Sequence, residues 1–114
     1  MKVKSLKLDN HITPFAKQVY EYLTTIPSGK VVTYKQIAIA LNNPKASRAV
    51  GNALHKNPDG IKYPCFKVVN SEGKLAKNFG AKGGIDTQKE RLINDGVEVV
   101  NYQVDLKKYQ FIKK

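Results

Sequence analysis

The sequence predicts one mostly helical α/β domain of the winged helix-turn-helix kind, with a short β-hairpin as its wing. Three observations carry that expectation. Two short helical stretches, the first opening at Thr33 and the second running to about His55, are joined by the tight turn Asn42-Asn43-Pro44. The β-branched pair Val68-Val69 runs into the turn Asn70-Ser71-Glu72-Gly73, after which Lys74-Leu75 can return as a hairpin. The length of 114 residues suits a single modest core, with no repeat or linker to divide it.

In chain order, residues 1–12 carry lysines without periodicity and read as a tail or an edge strand. Thr13-Pro14 offers an N-cap followed by proline at the first helical position. Phe15, Val19, Tyr22, Leu23 and Ile26 share one helical face, and Pro27-Ser28-Gly29 ends it. Lys30-Val31-Val32 is an extended link. Thr33 and Gln36 have capping-box spacing, so the second helix starts there and buries Ile37, Ala38 and Leu41. Asn43 is expected to cap the third helix. Its apolar face is Ala46, Ala49, Val50, Ala53 and Leu54; Ser47, Arg48, Gly51, Asn52 and His55 lie opposite. Small residues let such a face approach a surface closely, although alanines also serve simply as helix formers in a small core. Asn57-Pro58-Asp59-Gly60 is a turn, and a strand through Cys65 to Val69 follows. Asn78 to Gly84 is a glycine-rich loop without the G-K-[ST] of a nucleotide P-loop. A last helix spans Asp86 to Asn94, Val97 to Val104 reads as a strand, and a basic, frayed tail occupies 107–114.

The formal net charge is +11, and from Tyr22 to Pro58 there are five basic residues and no acid. An acid-free basic segment suits a polyphosphate, because each neutralised phosphate releases counterions. No run of 18 apolar residues occurs and Met1-Lys2-Val3-Lys4 lacks a signal-peptide core, so a soluble, cytoplasmic, monomeric protein away from membranes is expected. The lone cysteine excludes an internal disulfide. The two histidines stand at no ligand spacing from it, so neither a metal nor another cofactor is expected. Cys65, held behind Pro64, is either a nucleophile with a fixed direction of attack or a small buried hydrophobe.

Three blocks together settle the weighting. Ile26-Pro27-Ser28-Gly29-Lys30-Val31-Val32-Thr33-Tyr34, then Ser47-Arg48-Ala49-Val50-Gly51-Asn52-Ala53-Leu54 with Asn57-Pro58, then Pro64-Cys65-Phe66-Lys67-Val68-Val69 resemble, in order and spacing, segments of the O6-alkylguanine-DNA alkyltransferases and their non-transferring alkyltransferase-like relatives. The resemblance covers about Thr13 to Val97. It implies a domain that lies in the minor groove of double-stranded DNA containing O6-alkylguanine and turns the damaged base out. Arg48 matches the arginine that fills the vacated space, and Tyr34 the tyrosine that crowds the neighbouring phosphate. Ser47, Gly51 and Asn52 share the DNA-facing side of the helix. Asn57 matches the asparagine bracing the turn before the active site, and Cys65 the irreversible alkyl acceptor. Tyr63, Pro64, Val68, Phe79, Gly83 and Gly84 fall in the segments that shape the pocket.

The chain also departs from the family pattern. Phe66 stands where alkyltransferases carry the histidine that relays the cysteine proton toward a glutamate, Asp95 occupies the glutamate position, and Lys67 replaces an arginine. The retained cysteine favours alkyl transfer, while Phe66 favours a protein that flips the base and flags it for other repair proteins. A sequence-reading regulator of the major groove and a cysteine hydrolase fit less well, because the helix offers few base-reading side chains and no histidine neighbours Cys65.

Overall fold

The computed structural model describes residues 13–112, so the expected tail or edge strand at 1–12 and the last two residues lie outside the described residues. Helix α1 spans Pro14–Leu23, capped by Thr13, whose hydroxyl accepts from the Ala16 N–H at 3.0 Å. Pro14 occupies a position where its missing N–H has no partner to lose. Ala16, Val19, Tyr20 and Leu23 are buried, and Tyr22 only partly, so the buried stripe includes Tyr20.

Strand β1 (Val32–Thr33) runs directly into α2 (Tyr34–Ala40). The capping box closes as the spacing predicts: Thr33 Oγ1 accepts from the Gln36 N–H at 3.0 Å, and Gln36 Oε1 from the Thr33 N–H at 3.2 Å. Ile37 and Ala38 are fully buried, and Leu41 packs partly buried at the C-cap. Helix α3 is Ser47–His55 and is not capped by Asn43. Pro44 disfavours helical backbone at the residue before it. Residues 43–46 accordingly form a separate turn, with the Ala46 N–H on the Asn43 carbonyl, and the cap position falls to Ala46. The apolar face is also narrower than its pattern suggests: Val50 and Ala53 are buried, whereas Ala49 is exposed.

Cys65–Lys67 is a single 3-10 turn, not the start of a strand. The Cys65 N–H bonds the Tyr63 carbonyl at 2.7 Å and the Lys67 N–H bonds the Pro64 carbonyl at 3.2 Å, so the ladder begins only with β2 (Val68–Val69). β2 pairs parallel to β1, Val32 beside Val68 and Thr33 beside Val69, which a hairpin cannot do. The chain does turn back at Asn70–Lys74, but Lys74 then bridges Gln103 instead of β2. Helix α4 (Ile85–Asn94) appears where expected. Val97 to Val104 is not a strand: Val97 and Val104 are buried, while Asn101 and Tyr102, at φ 52° and 59°, turn the chain so that Val100 pairs with Gln103. The expected frayed tail is ordered structure over 107–112. After the short helix α5 (Leu106–Tyr109), the Phe111 N–H bonds the Val31 carbonyl at 2.7 Å and its ring packs on the core.

The two strands form the seam of the molecule. Val32 and Val68 face a core built with α1, α2 and α3, while Val31 and Val69 face a second cluster with Leu75, Leu92, Val97 and Val104. Cys65 lies just upstream of that seam, beside α3.

Candidate functional site

A cavity of about 540 Å³ lies between α3 and the segments around Cys65 and Phe79. Tyr34, Ser47, Arg48, Gly51, Asn52, Leu54 and His55 line it from the helical side, and Cys65, Val68, Ala76, Asn78, Phe79, Gly80 and Gln88 from the other. All five DNA-facing candidates are thus brought together with the cysteine. A Cβ on Gly51 would meet nothing within 4 Å, so internal packing does not require a glycine there; the bare face is open outward.

Three side chains fix this geometry. Tyr20 donates its buried hydroxyl to the Ala53 carbonyl at 2.7 Å and stacks on Tyr63, ring centroids 5.4 Å apart. One residue of α1 therefore locates both α3 and the segment entering Cys65. Its position four residues after Ala16 and three before Leu23 was the available sequence signal. Asn57 Nδ2 donates to the Tyr63 carbonyl at 2.7 Å, and its Oδ1 accepts from the Asp59 N–H at 3.0 Å, bracing the same approach. Gln88, fully buried on α4, accepts from the Ala76 N–H (2.8 Å) and donates to the Phe66 and Val68 carbonyls (3.1 and 3.0 Å). Buried polar groups need such partners, but nothing in the hydropathy pattern distinguishes Gln88 from a surface glutamine.

The remaining expected residues sit outside the cavity. Lys67 is buried, its Nζ 3.2 Å from Asp95 Oδ2 and donating to the Pro27 and Ile26 carbonyls at 3.0 and 3.3 Å. The same Asp95 oxygen accepts from the Gly29 N–H at 2.9 Å. Phe66 and Asp95 line a second recess with Gly60, Ile61, Arg91 and Asn94. Asp95 thus binds the turn that ends at Gly29, and no proton-carrying side chain stands at position 66 between it and Cys65. Pro64 precedes the 3-10 turn at its cap position. Gly83 and Gly84 form the entry to α4: at φ 94° a Cβ on Gly83 would collide with Thr87 Oγ1, so the pair shapes the loop whose Asn78, Phe79 and Gly80 reach the cavity.

Burial pushes the Cys65 thiol above its ordinary pKa, and the Asn57 amide and Arg91 guanidinium pull it only partly back. Burial, and secondarily a charge on Cys65, raises the Tyr34 hydroxyl. Among the described residues no cluster of three metal-ligating side chains occurs, and no helix is long and apolar enough to cross a membrane.

Fold and site together define a helix-turn-helix domain with one thiol in a cavity at the side of its second helix. The sequence profile of the family described as "6-O-methylguanine DNA methyltransferase, DNA binding domain" matches residues 14–97, and the chain belongs to that family. It is 45% identical over 93 residues to a bifunctional methyltransferase/endonuclease of Picrophilus torridus, covering 82% of this chain and 30% of that protein. It is 39% identical over 99 residues to a DNA base-flipping protein of Vibrio parahaemolyticus, covering 85% of this chain and 95% of that one. The structure is similar to S. pombe Atl1 in complex with damaged DNA containing O6-carboxymethylguanine, with TM-score 0.77, 33% identity and coverage of 87% and 95% of the two chains. The relatives thus include methyltransferases of which this chain spans less than half and a base-flipping protein it spans almost entirely.

Proposed function

We propose that this protein binds O6-alkylguanine in double-stranded DNA through the minor groove, turns the base into the Cys65 cavity and accepts the alkyl group on Cys65. One observation carries the reading: Arg48 and Tyr34, the residues matching the family's base-flipping pair, line the same cavity as the thiol. Extrusion costs stacking energy, which a side chain wedged in from the minor groove offsets. The slim face at Gly51 lets the α3 backbone approach, and Arg48 is the long side chain available to enter the gap.

The transfer balances simply. The thiol loses its proton, the sulfur forms a bond to the alkyl carbon, and the bond from that carbon to guanine O6 breaks. The electron pair stays on the base, which takes up a proton at N1. A soft thiolate suits displacement at an alkyl carbon. A positioned base contributes roughly 10²–10⁴ in rate, and Phe66 cannot supply one. Each molecule reacts once, however, so slow transfer still removes the lesion. Lys67 and Asp95, bound to each other, join the active-site turn to the Pro27–Gly29 turn.

A second reading, lesion binding without transfer, is favoured by the upward-shifted thiol and the absence of an imidazole at position 66. Incubation with duplexes carrying O6-methylguanine labelled in the methyl group separates the two. Label on the wild type and none on Cys65→Ala, with both proteins preferring damaged over undamaged duplex, supports transfer. Lesion-selective binding with an unlabelled wild type establishes the second reading, and equal affinity for both duplexes refutes either.

A further inference from the structure

Helix α4 packs against the 3-10 turn that bears Cys65, and its last turn carries Arg91. The guanidinium carbon lies 5.9 Å from the centre of the Phe79 ring, which lines the Cys65 cavity. A Cβ on Gly60 would come within 3.3 Å of an Arg91 terminal nitrogen, closer than ordinary contact; the glycine leaves room for the cation. Arg91 also borders the recess that Phe66 lines. The ion pairs among the described residues are Lys67–Asp95 and Lys74–Glu72, so the Arg91 charge is not spent on a carboxylate there. A cation held over an aromatic ring that lines the cavity, on the helix packed against the turn that bears Cys65, favours the charged form of that partly buried thiol.

We propose that Arg91 is a positioning residue for the Cys65 chemistry: its guanidinium, held over Phe79 and close to Gly60, favours the thiolate and supplies electrostatically part of what the histidine at position 66 provides elsewhere in the family. This rests on the transfer reading for its biological use but not for its physical test. The groups facing the thiol are Tyr20 and Tyr34, the Asn57 amide, and Arg48 and His55 across the cavity; the neighbouring Lys67 ammonium is committed to Asp95. Among the described residues, Arg91 is the full positive charge that lowers the pKa of the thiol.

The experiment is the pH profile of Cys65 alkylation by iodoacetamide in the full chain without DNA, for wild type, Arg91→Gln, Arg91→Met and Arg91→Lys. Arg91→Met keeps an apolar stem over Phe79 and serves if Arg91→Gln does not fold; circular dichroism and melting identify the folded variants. The expected result is an upward shift of the thiol midpoint in both neutral variants, with alkylation at neutral pH slowed about three- to tenfold, and recovery of most of that loss in Arg91→Lys. Superimposable profiles for wild type and a folded neutral variant overturn the proposal. Because no DNA is present, a wild type that takes no methyl group from the lesion removes the transfer reading without touching this result.

Discussion

Cys65 and Lys67 stand two residues apart on one 3-10 turn and meet opposite surroundings. The Lys67 ammonium is driven into the core, yet it is answered by the Asp95 carboxylate and the Ile26 and Pro27 carbonyls. The Cys65 thiol faces an open cavity, with the Asn57 amide the main polar group acting on it. A buried charge left unpaired is costly, so the structural partner must be saturated. A nucleophile must keep its lone pairs free, so the reactive partner must not be. The turn is thus clamped on one side so that the other can remain bare.

That contrast can be broken from either end. The largest effect is expected at the clamp: Lys67→Met leaves Asp95 without its cation and should cost about 3 kcal/mol of stability in urea unfolding. A loss under half of that would mean that the pair does not hold the turn. Next, on the open side, Arg48→Ala should weaken binding to an O6-methylguanine duplex by about tenfold or more while leaving the urea midpoint unchanged, since Arg48 is exposed. Undiminished affinity would remove the flipping role. The thiol supplies a third test. Its pKa is raised, so below its titration each unit of pH lost lowers the thiolate fraction about tenfold. Single-turnover transfer should therefore climb from neutral into alkaline solution, and a flat profile would show that the thiolate is not the limiting species. The smallest effect belongs to the link between the two faces. Tyr20→Phe removes the shorter of the two hydrogen bonds to the Ala53 carbonyl, leaving the Lys56 N–H at 3.2 Å, and should cost about 1 kcal/mol in the same unfolding experiment.

The parts legible in the sequence were those set by local chemistry. Thr13-Pro14 and the Thr33/Gln36 pair mark helix starts because their hydrogen bonds close within one turn. The cavity candidates on α3 followed from three blocks read together, and Arg48, Tyr34 and Cys65 do converge. What escaped depends on distant partners. Val97 to Val104 has strand composition, but Val97 and Val104 enter one cluster with Val31 and Val69 while Val100 is exposed, and the chain reverses at Asn101-Tyr102. The last residues read as a basic tail because their ordering comes from Val31, some 80 positions upstream. Lys67 and Gln88 are core residues only because carbonyls from separate segments meet around them.

The most direct test of the central claim is the intact mass of the protein after incubation with an excess of duplex carrying O6-methylguanine. Transfer predicts the gain of one CH₂, one per chain, located on the peptide containing Cys65 and absent with undamaged DNA. An unchanged mass under conditions where the lesion duplex is fully bound would contradict it.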